Sequence, residues 1–265
     1  MDNHLNIEKK TRNKSLRRAT ILNLLEENTK MSVADLSNST NVSVVTIRSD
    51  LEEPEKEGLL KRTHGGAVIN RNSRFTNDLE DRKRFKASEK EKIAQAAAEL
   101  INNGDSLIIN VGSTCAYICN ELKKKKDLIV VTNALHIMNS LSDDNNNTLF
   151  FLGGHFDREM QITIGDDVND QLVKYKVDKL IMGMDGVDLT AGATSYNHVE
   201  DAIMRQMIAQ ANYKILVADD SKIGKITFAH IAELSDFDVL VTNYSEQNEE
   251  LIEEIRATGM QVIVV

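Results

Sequence analysis

Three short runs of apolar residues at helical spacing open the chain. Leu16, Ile21, Leu24 and Leu25 recur on one helical face, with Ser15 placed to cap its start. Ser32 offers a second N-cap ahead of Val33, Ala34 and Leu36, and Asn41 supplies the turn that closes that helix. Val42 turns inward, and Ser43 caps a third helix reading Val44-Val45-Thr46-Ile47-Arg48-Ser49-Asp50-Leu51. Two short helices joined by a tight turn predict a helix-turn-helix. After Gly58, residues 59–68 read as two short strands around Gly65-Gly66, which is the pattern of a wing.

From Glu89 onward the pattern changes to helices alternating with buried strands. A helix over 89–101 stops at Asn103-Gly104 and a strand over 106–111 follows. A helix from Ser113, a strand over 128–132 and a helix from Ala134 come next, then strands over 148–152, 179–184, 214–218, 239–242 and 261–265. Alternation of this kind predicts an α/β domain with a largely parallel sheet covered on both faces. The expected division is a polar tail (1–14), a winged helix-turn-helix (15–72), a polar linker with some helix (73–88) and an α/β domain (89–265).

Composition adds limits. With 265 residues, 41% hydrophobic and 28% charged, the chain is expected to be globular. The longest apolar runs, such as 128–131 and 149–152, are far too short to cross a bilayer. Lys9, Lys10, Arg12 and Lys14 have no apolar stretch behind them, so no secretory signal is expected and the cytoplasm is the expected compartment. Cys115 and Cys119 are one helical turn apart, a poor arrangement for a disulfide, and read as reduced core residues. The six histidines form no cluster with ligand spacing, so neither a metal nor a cofactor is expected.

The net charge of −9 looks wrong for a protein that touches nucleic acid until its distribution is considered. Residues 1–74 hold 13 Lys and Arg against 10 Asp and Glu, a net of +3, and the remainder carries −12. An acidic body repels phosphate backbones, which confines contact with double-stranded DNA to the head. Ser43, Thr46 and Arg48 suit the groove-facing start of a recognition helix, and Lys61, Arg62 and His64 in the wing suit the backbone or an adjacent minor groove. In the body, Asn110-Val111-Gly112-Ser113-Thr114 lies between a strand and a helix, a place that suits a phosphate. Thr132-Asn133, Gly153-Gly154-His155 and Asp185-Gly186-Val187-Asp188 fall at the ends of other predicted strands, on the edge where ligands gather.

The run from Val42 to Leu51, followed by Gly58-Leu59-Leu60-Lys61-Arg62-Thr63-His64-Gly65-Gly66-Ala67, resembles the DeoR family of repressors. Ser49 stands where that family has a second arginine, and Pro54, the only proline, stands where it has leucine. An interior proline removes a backbone hydrogen bond, so the helix is expected to kink or end near Glu52 and Glu53. Residues 89–265 resemble the effector domain of the same family through Glu89-Lys90, Gly112-Ser113-Thr114, Thr132-Asn133-Ala134, Gly153-Gly154, 183–188, 192–197 and 219–222. The resemblance implies a Rossmann-like fold similar to ribose-5-phosphate isomerase and glucosamine-6-phosphate deaminase. It makes Gly112, Ser113 and Thr114 phosphate ligands, Asp185 and Asp188 acceptors of sugar hydroxyls and Lys222 a pocket cation, with Thr132, Asn133, Gly153 and Gly154 lining the site.

It further implies a transcriptional repressor, a homo-oligomer (dimer or tetramer), released from operator DNA by a phosphorylated sugar. The stretches 183–188 and 192–197 are most similar to the N-acetylgalactosamine and tagatose-phosphate branch. The alternative is a sugar-phosphate isomerase or deaminase with an accessory winged helix. Asp185 or Asp188 could be its base. Ala191-Gly192-Ala193, however, stands where those isomerases carry a lysine, so no catalytic residue is expected.

Overall fold

The computed structural model describes residues 14, 17–18, 20–22, 24–25, 28–56, 60–63, 65–69, 79–143, 147–196 and 199–265. His64, Ser15 and Asn197, named above, lie outside them. In the head, strand β1 (Lys30–Ser32) leads into helix α1 (Val33–Thr40) and helix α2 (Val44–Asp50). Ser32 caps α1 by accepting from the Asp35 amide, and Asn41 ends it in the left-handed region at φ 54°. Helix α3 (Glu52–Lys56) comes next, then β2 (Leu60–Thr63) and β3 (Gly66–Ile69). The three strands pair antiparallel in the order β1-β3-β2, so the wing is braced by a strand that the apolar pattern did not announce. A Cβ at Gly66 would lie 2.1 Å from the Met31 carbonyl oxygen, and this close approach requires glycine. Ile21, Leu25, Leu36, Ile47, Leu51 and Leu60 fill the core beneath the helices.

Helix α4 (Leu79–Arg84) lies in the stretch read as a linker, and α5 (Ala87–Glu99) starts two residues before Glu89. The body then runs β4 (Ser106–Ile109), α6 (Ser113–Leu122), β5 (Ile129–Thr132), α7 (Leu135–Leu141) and β6 (Thr148–Phe151). A hairpin of β7 (His155–Asp157) and β8 (Ile162–Ile164) precedes α8 (Asp166–Leu172) and β9 (Val177–Gly183). The chain continues through β10 (Gly186–Asp188), β11 (Gly192–Ser195), α9 (Asp201–Gln210), β12 (Ala211–Val217), β13 (Ala229–Ala232), β14 (Val239–Thr242), α10 (Glu249–Ala257) and β15 (Gln261–Val264).

Seven strands form one sheet in the order β15-β14-β12-β9-β4-β5-β6, and every pairing in it is parallel. Separate apolar clusters cover its two faces, as the alternating pattern required. A smaller antiparallel sheet, β10-β11-β13, sits beyond the end of β9. None of the described helices is long and apolar enough to cross a membrane.

Candidate functional site

The large sheet reverses its order of growth between β4 and β9. Strands β5 and β6 extend to one side of β4, and β12, β14 and β15 extend to the far side of β9. Ligands of doubly wound sheets bind at such a switch point, outside the C-terminal ends of the strands. Asn110 ties the two strand ends together there: its Nδ2 donates to the Gly183 carbonyl at 3.1 Å and its Oδ1 accepts from the Gly183 amide at 3.0 Å. The clasp holds the Gly112-Ser113-Thr114 turn beside the loop that carries Asp185. Gly112 is the N-cap of α6 and supplies no side-chain cap, so the helix start keeps amides available to an anion.

Three cations surround Asp185. Arg82 of α4 reaches its Oδ1 at 3.5 Å. Its Oδ2 accepts from the Tyr196 amide at 3.2 Å and from the Ser195 hydroxyl at 3.3 Å. Burial would raise the Asp185 carboxyl, but Arg82, Lys222, the Tyr196 amide and Lys225 outweigh it and hold the group below the ordinary carboxylate range. Lys222 ends a 3-10 turn (Asp220–Lys222), and its ammonium makes no hydrogen bond or ion pair with the side chain or backbone of another described residue. Burial, with Lys225 beside it, pushes its ammonium below the usual lysine range. The small sheet fixes this loop, because the Gly224 amide donates to the Val187 carbonyl at 2.7 Å. A Cβ at Gly186 would lie 2.4 Å from the Lys225 carbonyl oxygen, so the contact tolerates only glycine.

The segment that joins head to body is part of this site. Lys90 is 2% exposed, and its Nζ donates to the carbonyls of Arg82 at 2.6 Å and Phe85 at 2.5 Å, with Asp219 at 3.8 Å. Burial pushes its ammonium down to about 8, against the pull of Asp219. Lys86 pairs with Asp220 at 2.7 Å, and the Tyr117 hydroxyl donates to the Lys83 carbonyl at 3.2 Å. Helix α4 is thereby fastened over the start of α6. Tyr196 is a second link: its ring packs against the head's apolar cluster and lies 5.3 Å from the Lys225 ammonium.

Of the ten effector residues named from sequence, Gly112, Ser113, Thr114, Asp185 and Lys222 converge on the switch point. The other five are engaged elsewhere. Thr132 Oγ1 donates to the Ile109 carbonyl at 2.8 Å and accepts from the Ala134 amide. Asn133 Nδ2 donates to the Thr163 carbonyl at 2.9 Å, and its Oδ1 is buried without a partner. The Gly153 amide and carbonyl both pair with the Gln171 side chain, and Gly154 packs so tightly on Ile164 that a Cβ would lie 2.9 Å from its carbonyl oxygen. Asp188 Oδ1 accepts from the Thr190 amide, the Thr190 hydroxyl and the Ala191 amide, which shapes the β10–β11 turn. Arg82, Lys90, Lys225 and Asn110 complete the site. Of these, the sequence motifs mark only Lys90, within Glu89-Lys90, and Asn110, within the loop that ends β4.

On the head, Ser43 Oγ caps α2 by accepting from the Thr46 amide at 3.2 Å and shares a hydrogen bond with Thr46 Oγ1 at 2.9 Å. Arg48 and Lys61 are exposed and unpaired among the described residues. Arg62 is not: its Nε donates to Glu55 Oε2 at 2.6 Å and its amide to Glu55 Oε1 at 3.0 Å. The amide bond, with the Arg62 charge behind it, holds the Glu55 carboxyl low, so this arginine brings less net charge to a phosphate than Lys61 does. Arg17 makes a two-pronged pair with Asp50, at 3.0 Å between Nη2 and Oδ1, that locks α2 to the first helical segment. At Pro54 the helix breaks at Leu51, one residue before the expected place, and resumes at Glu52.

Residues 17–73 match the DeoR-like helix-turn-helix domain and residues 86–244 match the DeoR C terminal sensor domain. The chain is 32% identical over 260 residues to a putative aga operon transcriptional repressor of Escherichia coli O157:H7, covering 97% of this chain and 96% of that one. It is 30% identical to the glycerol-3-phosphate regulon repressor of Escherichia coli K12, covering 84% and 88% of the two chains. A ribose 5-phosphate isomerase of Methanocaldococcus jannaschii overlaps at a TM-score of 0.37 with 18% identity, covering 51% of this chain and 53% of that one. These relatives in sequence are regulators rather than enzymes. The chain belongs to the DeoR family of transcriptional regulators.

Proposed function

We propose that this chain is a cytoplasmic, homo-oligomeric repressor of a carbohydrate-utilisation operon, and that a phosphorylated sugar bound at the β4/β9 switch point releases it from operator DNA. The convergence of Arg82, Lys222 and Lys225 on one carboxylate beside the open start of α6 carries this reading. The helix amides and the unpaired Lys222 suit a phosphate, and Asp185 suits a sugar hydroxyl. An anion there competes with Asp185 for Arg82, which sits on the connector to the head. It also draws on Lys222 and Lys225, and Tyr196 links that cluster to the head's core. Effector and operator binding are then reciprocal, because each favours a different placement of the heads in a dimer or tetramer that reads paired half-sites.

The test is a thermal-shift panel of sugar phosphates, amino-sugar and tagatose phosphates included, followed by operator titration. A ligand at a hundred times its Kd stabilises the native state by about 2.7 kcal/mol. Lys222→Met is expected to abolish that shift while leaving operator affinity intact. A sugar phosphate that binds without changing operator affinity overturns the mechanism, and turnover of any sugar phosphate overturns the repressor reading.

A further inference from the structure

The side chains of α2 divide into two sets. Ile47, Asp50 and Leu51 are buried against the head's core. At about 100° per residue, Val45, Arg48 and Ser49 stand on the opposite face. Ser43 and Thr46, the hydroxyl residues at the helix start, hydrogen-bond each other and the helix end. Their donors and acceptors are therefore partly committed before any DNA arrives. Val45 is 75% exposed, more than any other exposed large apolar side chain described, and contributes nothing to the core.

A valine in a helix has one strongly preferred χ1 rotamer, so its two methyl groups are fixed in direction before contact. Among the base edges of the major groove, the C5-methyl of thymine is the apolar feature. Arg48, one turn further along the same face, has no side-chain partner among the described residues to give up, and Lys61 offers the wing a phosphate contact.

From this face we infer that Val45 reads a thymine through its methyl group, at the operator position that meets the first turn of α2. Arg48 supplies the polar contact one turn away. The inference rests on the DNA-binding reading above and adds the base that the helix selects for.

The experiment uses the full chain to select duplexes from a randomised library. Each thymine of the selected duplex is then replaced in turn by deoxyuridine, which removes the methyl group alone. For the wild-type chain, one thymine per half-site is expected to matter, with binding weakened roughly three- to fivefold, the worth of burying one methyl group. Val45→Ala is expected to bind the thymine and deoxyuridine duplexes equally. Arg48→Ala should weaken both and preserve their ratio. The inference is overturned if wild type ignores every deoxyuridine, or if Val45→Ala keeps the discrimination. A changed sedimentation coefficient for Val45→Ala with discrimination intact assigns Val45 to contact between copies instead. Failure to select any duplex overturns the DNA-binding reading itself, and this inference with it.

Discussion

In the head, the groups with chemistry stand in solvent around a small apolar core, and Asp50 is the single buried charge among its described residues. In the body, Lys90, Asp188, Glu200 and Asp219 are all buried, and Asp185 and Lys222 are half-buried. The contrast fits what each region is proposed to bind. A duplex presents a long row of phosphates to be met at a surface, where exposed Arg48 and Lys61 need no prior burial. A small anion has to be taken out of water, and that needs cations already desolvated and held by carbonyls and carboxylates. The head therefore has little electrostatic strain to release, whereas the body has several buried charges whose balance a ligand can shift.

The sharpest way to break this contrast is to create an unpaired buried charge in the head. Asp50 is 1% exposed, and Arg17 is its two-pronged partner. Arg17→Ala leaves that carboxylate buried and uncompensated, at a cost of about 3 kcal/mol. In a unit of this size the head's transition should fall by roughly 10–20 °C. Differential scanning calorimetry is expected to show that fall with the body's transition unmoved. A scan that matches wild type would mean that water reaches Asp50 and that the head holds no buried charge of consequence.

The second prediction concerns the body, through Lys90. Facing its ammonium are Asp219 and Lys222 from the 3-10 turn and its cap, Arg82 from α4, and Glu89 from its own helix. Its folded value is about 8 against an ordinary 10.5, so the unfolded chain holds the proton longer. Without ligand, stability is penalised in full below about pH 8 and recovers as pH rises from there toward 10.5. A bound anion opposes that penalty by favouring the charged amine. Effector affinity should then fall about tenfold from pH 7 to pH 9.5, the equivalent of one unit of pKa. Calorimetry near pH 8 in buffers of different ionisation enthalpy should detect proton uptake on binding. Identical heats in those buffers would show that Lys90 is indifferent to the ligand.

The same contrast decides what could be read from the chain beforehand. The head is local: caps, turn and wing lie within a few dozen residues, so Ser32, Asn41 and Ser43 could be placed from their neighbours alone. Strand β1 escaped because three residues ending on a cap carry no periodicity, and its pairing with Gly66, Ala67 and Val68 is a tertiary fact. In the body the parallel sheet followed from strand alternation, and the two loops at the switch point followed from their glycines. The cations did not follow. Arg82 lies in a charged run that resembles any solvated segment, and tertiary contacts bring it over the pocket: the Lys90 hydrogen bonds to its carbonyl and to that of Phe85, with the Lys86–Asp220 and Tyr117–Lys83 links beside them. Lys225 reaches the site because β10 and β11, read as motif loops, form a sheet that holds its loop. Asp188 had the right residue type at a strand end, yet its carboxylate is occupied by three donors from its own turn, a geometry that sequence spacing does not reveal.

The smallest expected effect returns to the head, at Pro54. Inside a continuous helix this proline would cost about 3 kcal/mol, since it removes the hydrogen bond to Asp50 and crowds that turn. The chain reduces the cost by breaking at Leu51, whose amide is shared between the Ile47 and Ser49 carbonyls. The helix resumes at Glu52, with the Glu55 amide donating to the Leu51 carbonyl at 3.1 Å. Pro54 thereby becomes the third residue of a new helix, within the first turn, where amides lack helical partners in any case. The proline is also buried, so its ring supplies part of the apolar contact a leucine would make. Pro54→Leu should consequently regain one backbone hydrogen bond and some apolar contact, about 1 kcal/mol rather than 3. The head's melting temperature is then expected to rise by about 4–8 °C, with the body unchanged. A head no more stable than wild type would mean that the break at Leu51 already removes the whole cost of the proline.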